Sequence, residues 1–173
     1  MLRLMLLRHA KAAPQDPARD HARPLAPRGL ADAAALARDL AGEHMIPDAV
    51  LVSDARRTRE TLAAMQAAWP DLAATQASAD PALYHAGADA LLRAVRKAGA
   101  AKTLLLVGHN PGLAELALVL AGHGDRYALA RMSEKFPTCA LAVLDFDCAG
   151  WAGVAARGGR LDRFAAPSHG EAD

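Results

Sequence analysis

The stretch "LRLMLLRHAKAAP" at residues 2–14 decides how this chain is read. Leu2, Leu4, Met5, Leu6 and Leu7 form a nearly continuous apolar run, the pattern of a strand buried on both faces of a sheet. The run stops at Arg8-His9, with Lys11 two residues further on. A buried strand has no use for two adjacent groups able to carry positive charge unless something anionic meets them at its end. Other partners of that anion are then expected elsewhere in the sequence.

Working outward, apolar runs alternate with helical patterns. Residues 10–27 carry Pro14, Pro17, Pro24 and Pro27 and read as loop. Leu30, Ala33, Ala34, Ala37 and Leu40 recur at helical spacing up to Gly42. Residues 49–52 form a second strand. A helix follows from about Ala55, with Leu62, Met65 and Trp69 on its inner face and Pro70 as its stop. Leu91, Leu92 and Val95 mark a helix over 88–98, and residues 103–107 are a third buried strand. Leu113, Leu116, Ala117 and Leu120 give the next helix, up to Gly122. Residues 140–146 and 160–164 read as two strands joined by a glycine-rich loop. Strands alternating with helices imply the α/β class, a mostly parallel sheet covered on both faces.

At 173 residues the chain is long enough for one core, and we expect one domain over 1–165 with a flexible tail at 166–173. Hydrophobic residues make up 53% and charged residues 23%, which excludes a disordered chain. A net charge of +1 supplies no bulk field for nucleic acid or an acidic membrane, so any anion must be bound by a few local groups. The first apolar run is too short to span a membrane and has no small-residue cleavage pattern. The expectation is a cytoplasmic protein, with Cys139 and Cys148 reduced and in no metal-ligand spacing.

Two further stretches supply partners for the anion. "VSDARRTRET" at 52–61 ends the second strand, with Ser53 or Asp54 as the expected N-cap and Arg56, Arg57 and Arg59 in the first turn of the helix. Each cation there opposes the helix dipole by about 0.3–1 kcal/mol, a local conflict of the kind a functional site produces. Arg56 and Arg59 read as solvated surface and Arg57 as a site residue. "VGHNPGLAEL" at 107–116 ends the third strand, with Asn110 as the expected cap, Pro111 at the first helical position and His109 at the junction. Arg8-His9, Arg57 and His109 thus each follow the C-terminal end of a strand, the edge where open parallel sheets bind ligands. Arginine forks and helix N-termini suit a phosphoryl group.

A phosphoryl site without evident metal ligands must neutralise the transferring oxygens with fixed cations, which Arg8, Arg57 and His109 can supply. No G-x-S-x-G elbow is present and neither cysteine lies near these motifs, so His9 is the candidate nucleophile. A neutral imidazole nitrogen attacks phosphorus and holds the group as a phosphoramidate, which water then hydrolyses. No metal and no other cofactor is expected.

"LLRHAK", "DHARPLAPRG", "VLVSDARRTRET", "VGHNPGL", "FPTCALAVLDFD" and "GRLDRFAAP" together resemble the histidine phosphatase superfamily, which includes the phosphoglycerate mutases. The pattern is most similar to its short SixA-type branch of phosphohistidine phosphatases. The resemblance implies a three-layer α/β sandwich, phosphoglycerate mutase-like, with no metal requirement. It implies His9 as the phosphorylated nucleophile, Arg8 as its phosphate-binding neighbour, Arg57 as the phosphate arginine and His109 as the second histidine of the pocket. Two features depart from the wider pattern. Ala10 replaces the common glycine after the histidine, as in the SixA-type branch. Where many members place a glutamate that protonates an alkoxide, this chain has "DPALYHAG" at 80–87, with Tyr84 and His85. An imidazole, titrating near pKa ~6.5, leaves without such an acid far more readily than an alkoxide does. The expectation is therefore a metal-independent phosphatase acting on phosphohistidine in a protein, with Asp16, Asp20 or His85 as the loop groups able to supply a proton.

Lys11 and His85 are candidates for the pocket mouth, with His21 beside them. Arg23 and Arg28 read as holding the long loop against the core. The alternatives are a phosphomonoesterase for small phosphorylated molecules and a phosphate-binding module without turnover. The partner is a phosphorylated protein or a small phosphorylated molecule, and a monomer fits the sequence.

Overall fold

Side chains alternate across a strand, and β1 (Leu2–Arg8) uses both of its faces. Leu2, Leu4 and Leu6 enter one apolar cluster, and Met5 and Leu7 enter another. Each such burial stabilises the fold by roughly 1.5–3 kcal/mol. The computed structural model, which describes residues 1–168, extends this arrangement across a seven-stranded sheet. The other strands are β2 (Ala49–Ser53), β3 (Ala77–Asp80), β4 (Thr103–Gly108), β5 (Ala121–Gly124), β6 (Leu141–Phe146) and β7 (Gly159–Ala165). Their order is β3-β2-β4-β1-β6-β7-β5. Pairing is parallel from β3 through β1 and between β5 and β7, while β6 runs antiparallel to both its neighbours. The expected mostly parallel sheet is found.

Helices cover both faces and complete the three layers. The helices α1 (Pro27–Gly42), α2 (Arg56–Ala68) and the short α3 (Pro70–Ala73) bury Ala33, Ala37, Leu40, Leu62, Met65 and Leu72 against Met5, Leu7, Leu105 and Val107. On the other face, α4 (Ala88–Arg96), α5 (Gly112–Leu120) and α6 (Arg126–Glu134) bury Leu91, Val95, Leu113, Leu116, Leu120 and Met132. The chain after β1 and β2 goes to one face, and after β4 it goes to the other. The ends of β1 and β4, which are adjacent, therefore open a crevice between diverging connections.

Local patterns in the sequence do not announce β3, β5 or α6. The β3 strand is a mostly exposed edge of small residues, and β5 contains two glycines and is held by its pairing with β7. In α6 only Met132 is buried, so its apolar stripe is thin; Asp125 caps it by accepting from the backbone N–H groups of Tyr127 and Ala128. Within the proline-rich 10–27 segment, residues Pro17–Ala22 form 3-10 turns behind an Asp16 cap. Of the tail expected at 166–173, residues 169–173 lie outside the described residues. Among the described residues, no helix is long and apolar enough to cross a membrane.

Candidate active site

The end of β1 is pinned on both sides. The backbone N–H of His9 donates to the Gly108 carbonyl (3.0 Å), and the His9 carbonyl accepts from the N–H of Cys139 (3.0 Å). The ring is buried, 6% exposed. Its Nδ1 lies 2.8 Å from the Ala10 carbonyl, which can only accept, so Nδ1 carries the proton and Nε2 the lone pair. That lone pair accepts from Arg57 Nε at 3.3 Å. Burial, helped by the charges of Arg57, Arg8 and Arg23 and opposed by the Ala10 hydrogen bond, lowers the His9 pKa to about 3. At neutral pH the ring is an uncharged base with its free nitrogen against a guanidinium.

Ser53, Arg57 and Thr61 are spaced four residues apart across the β2–α2 junction, and each holds a different part of the site. Arg57, 2% exposed, also donates to the Asp20 carbonyl (2.8 Å) and carboxylate (3.1 Å). Thr61 Oγ1 accepts from the Ala10 N–H (3.0 Å) and donates to the Arg57 carbonyl (2.7 Å). Neither Ser53 nor Asp54 is the N-cap. Ala55 takes that position without a side-chain cap. Ser53 Oγ is engaged by His109, while Asp54 is paired with His21 (2.9 Å). Arg56 and Arg59 are exposed, Arg56 donating to Glu60 and Arg59 to the Asp54 carbonyl.

His109 follows β4 as His9 follows β1, and their ring centroids lie 5.4 Å apart. Its Nε2 is 2.8 Å from Ser53 Oγ, and its Nδ1 is buried with no hydrogen-bond partner among the described residues. Burial first, then electrostatic repulsion from His9, Arg57 and other neighbours, only partly opposed by Asp20, lowers its pKa to about 2. The expected Asn110 cap is absent. Pro111 occupies the cap position, and the Asn110 amide donates instead to the Phe136 carbonyl (2.8 Å). Arg8 Nη1 donates to that same carbonyl (3.1 Å), which fixes the half-buried arginine beside His9.

A second tier stands over the two histidines. The Asp20 carboxylate accepts from Tyr84 Oη (2.5 Å), His85 Nε2 (3.1 Å), Arg57 (3.1 Å) and Arg23 (3.1 Å). The Tyr84 and His85 rings lie 5.5 and 5.4 Å from His109. Gly112 sets this placement: a Cβ there would fall 1.9 Å from the Ala86 carbonyl oxygen, so the start of α5 lies directly against the Tyr84–Gly87 loop. His85 has φ of 50°, a left-handed conformation that non-glycine residues avoid and that active sites concentrate. Lys11 is half-buried, and its backbone carbonyl accepts from the Ala26 N–H. Arg28 lies 4.0 Å from Asp32, away from this cluster.

The structure brings His9, Arg57, His109 and His85 together, with Arg8 alongside. Sequence reading named Asp20 only as a loop group able to supply a proton and gave Tyr84 no role; the structure instead makes Asp20 a carboxylate that accepts from Tyr84, His85, Arg57 and Arg23. The Asp20–Tyr84 contact joins residues 64 apart, one in a proline-broken loop and one in a turn, and no periodicity records such a pair. The hydroxyl roles of Ser53 and Thr61 are missed for the same reason, although their spacing from Arg57 is visible. Chemically, the pocket offers one unprotonated nitrogen among fixed cations and donors.

The chain is similar to known proteins over most of its length. Residues 4–84 match the model of the histidine phosphatase superfamily (branch 1). An uncharacterized protein of Mycobacterium tuberculosis is 42% identical over 141 residues, covering 80% of this chain and 85% of that protein. A solved structure from Agrobacterium tumefaciens, proposed to be the phosphohistidine phosphatase SixA, superposes with a TM-score of 0.80 at 32% identity, covering 96% of this chain and 98% of that one. A second such protein, from Nakamurella multipartitia, gives a TM-score of 0.80 at 32% identity, covering 97% of each chain.

Proposed function

The chain belongs to the histidine phosphatase superfamily, in its SixA-type branch, and is a phosphatase; we propose that it removes phosphate from phosphohistidine in a protein through a phosphoenzyme on His9. The observation that carries the mechanism is the His9–Arg57 contact, an Nε2 lone pair 3.3 Å from a buried guanidinium nitrogen. His9 Nε2 attacks phosphorus, the bond from phosphorus to the substrate nitrogen breaks, and its electron pair stays on the departing ring. Arg8, Arg57 and the unpartnered Nδ1 of His109 hold the phosphoryl oxygens in both steps. Water then attacks phospho-His9, returning the ring and releasing inorganic phosphate.

Nothing in this scheme uses a metal or another cofactor. Residues 1–165 act as one catalytic domain, and the substrate is a phosphorylated protein of a cytoplasmic signalling relay. The proposed assignment of the Agrobacterium and Nakamurella relatives as phosphohistidine phosphatases supports the substrate class, as does the lack of a glutamate in "DPALYHAG".

The test is turnover of a phosphohistidine peptide by the wild type and His9→Ala in the presence of EDTA, beside a phosphoserine peptide and an aryl phosphate. EDTA-resistant release favouring phosphohistidine and abolished by His9→Ala is expected. Faster turnover of the esters would make a small-molecule phosphomonoesterase the correct reading. Phosphate binding without turnover of any substrate would make the chain a binding module.

A further inference from the structure

The carboxylate of Asp20 has no part in the scheme above, yet it is the most heavily hydrogen-bonded side chain around the site. Four residues donate to it: Arg57 and Tyr84 from beside the histidine pair, His85 from the strained turn, and Arg23 from its own loop. One guanidinium thus spans the nucleophile and this anion, with Nε on His9 Nε2 and Nη2 on Asp20. A simple prop for Arg57 would not need Tyr84 and His85, which come from a different loop and whose rings flank His109.

Resting on the proposed function, we propose that Asp20 is the specificity-determining acceptor for the N–H of the leaving group, selecting phosphoramidates over phosphate esters. Burial works to raise the Asp20 pKa, but the hydrogen bonds of Tyr84 and His85 and the charge of Arg57 outweigh it and hold the carboxyl well below its ordinary range. Burial and the hydrogen bond to Asp20 raise the Tyr84 pKa, so that proton stays on the phenol. The cluster therefore offers an anion where a departing alkoxide would need a proton, and an alkoxide is repelled.

A phosphoimidazolium behaves differently. It enters with a proton on the ring nitrogen distal to phosphorus, and a carboxylate facing that N–H stabilises this protonated, better-leaving form. The P–N bond breaks as the His9 Nε2–P bond forms. The ring departs as neutral imidazole still carrying its distal proton, and His9 becomes a phosphoimidazolium whose Nδ1 keeps its proton, donated in a hydrogen bond to the Ala10 carbonyl. Atoms and charge balance without any proton being delivered.

The experiment measures kcat/KM of the wild type and Asp20→Asn on a phosphohistidine peptide and on an aryl phosphate, whose leaving group needs no proton. The ratio between the two substrates should fall about 10–100-fold in Asp20→Asn, and in the same direction by less in Tyr84→Phe. An unchanged ratio, whatever happens to the absolute rates, overturns the proposal and leaves Asp20 a support for Arg57. A ratio that rises also overturns it. A second measurement needs no variant. The wild type is compared on N-phosphoimidazole and its distal N-methyl cation, each rate divided by its uncatalysed hydrolysis. The methylated compound should lose about tenfold or more of the enhancement, and equal enhancements overturn the proposal. If the wild type does not turn over phosphohistidine at all, the proposed function itself fails and this inference falls with it.

Discussion

Thr61 Oγ1 accepts the backbone N–H of Ala10 at 3.0 Å and, through its own proton, reaches the Arg57 carbonyl at 2.7 Å. One fully buried hydroxyl therefore ties the residue after His9 to the first turns of α2. The 3.3 Å approach of His9 and Arg57 depends on two chain segments keeping that register.

Thr61→Val keeps the side-chain shape but leaves the Ala10 N–H and the Arg57 carbonyl without the hydroxyl. We expect a loss of about 1–3 kcal/mol in unfolding free energy, measured by urea denaturation, together with a lowered kcat. Unchanged stability would show that the hydroxyl does not hold the two segments.

Brief mixing of enzyme with labelled substrate should leave phosphate on the protein in an acid-labile, alkali-stable form. His9→Ala should carry no label and lose roughly a thousandfold or more in rate. Because Nδ1 is committed to the Ala10 carbonyl, the label should sit on Nε2, which phosphorus NMR of the trapped enzyme distinguishes.

Arg57→Lys retains the charge and loses the fork that reaches His9 and Asp20 together. A fall of about 10–100-fold in kcat/KM is expected. Arg56→Lys, at an exposed position, should stay within about twofold. Equal losses in the two variants would place the important arginine elsewhere.

Burial lowers the pKa of His9 to about 3 and that of His109 to about 2. Between these values and the unfolded pKa of ~6.5, the unfolded chain binds protons that the native chain does not. Stability should therefore fall as pH drops from about 6.5 toward 3 and be unaffected by these groups above that window. Thermal melts at pH 7, 5.5 and 4.5 read the slope, and His109→Leu should make it shallower.

Gly112→Ala puts a Cβ 1.9 Å from the Ala86 carbonyl oxygen, a backbone atom that cannot yield without moving the Tyr84–Gly87 loop. A cost of roughly 1–3 kcal/mol is expected, with a lowered kcat as Tyr84 and His85 shift. Full activity with native stability would show the loop to be free to move.

The two-faced burial of β1, the alternation that makes the α/β sheet and the strand-end positions of Arg8, His9, Arg57 and His109 are legible in the sequence. Each rests on a local pattern: an apolar run, a helical period, or a charge misplaced at a helix start. Ser53 shows where such patterns stop. Locally it is a good helix cap, but the neighbouring strand brings His109 to its hydroxyl, and Ala55 becomes the cap instead. Asn110 does not cap either: its amide N–H donates to the Phe136 carbonyl, and its Oδ1, the atom a cap would use, is buried with no hydrogen-bond partner among the described residues. At Ser53 the local rule yields because the buried His109 ring needs the same hydroxyl, and an unsatisfied buried group costs more than a missing cap.

By itself, then, the sequence determined which residues stand at the strand ends and that their chemistry suits a phosphoryl group. Only the tertiary structure decided that the His9 lone pair is on Nε2, since that depends on where the Ala10 carbonyl points. It alone brought Asp20 to Arg57, Tyr84 and His85. Those partners are 37, 64 and 65 residues away in the chain, and hydrogen bonds across such distances depend on which strands and loops become neighbours, which no local period encodes.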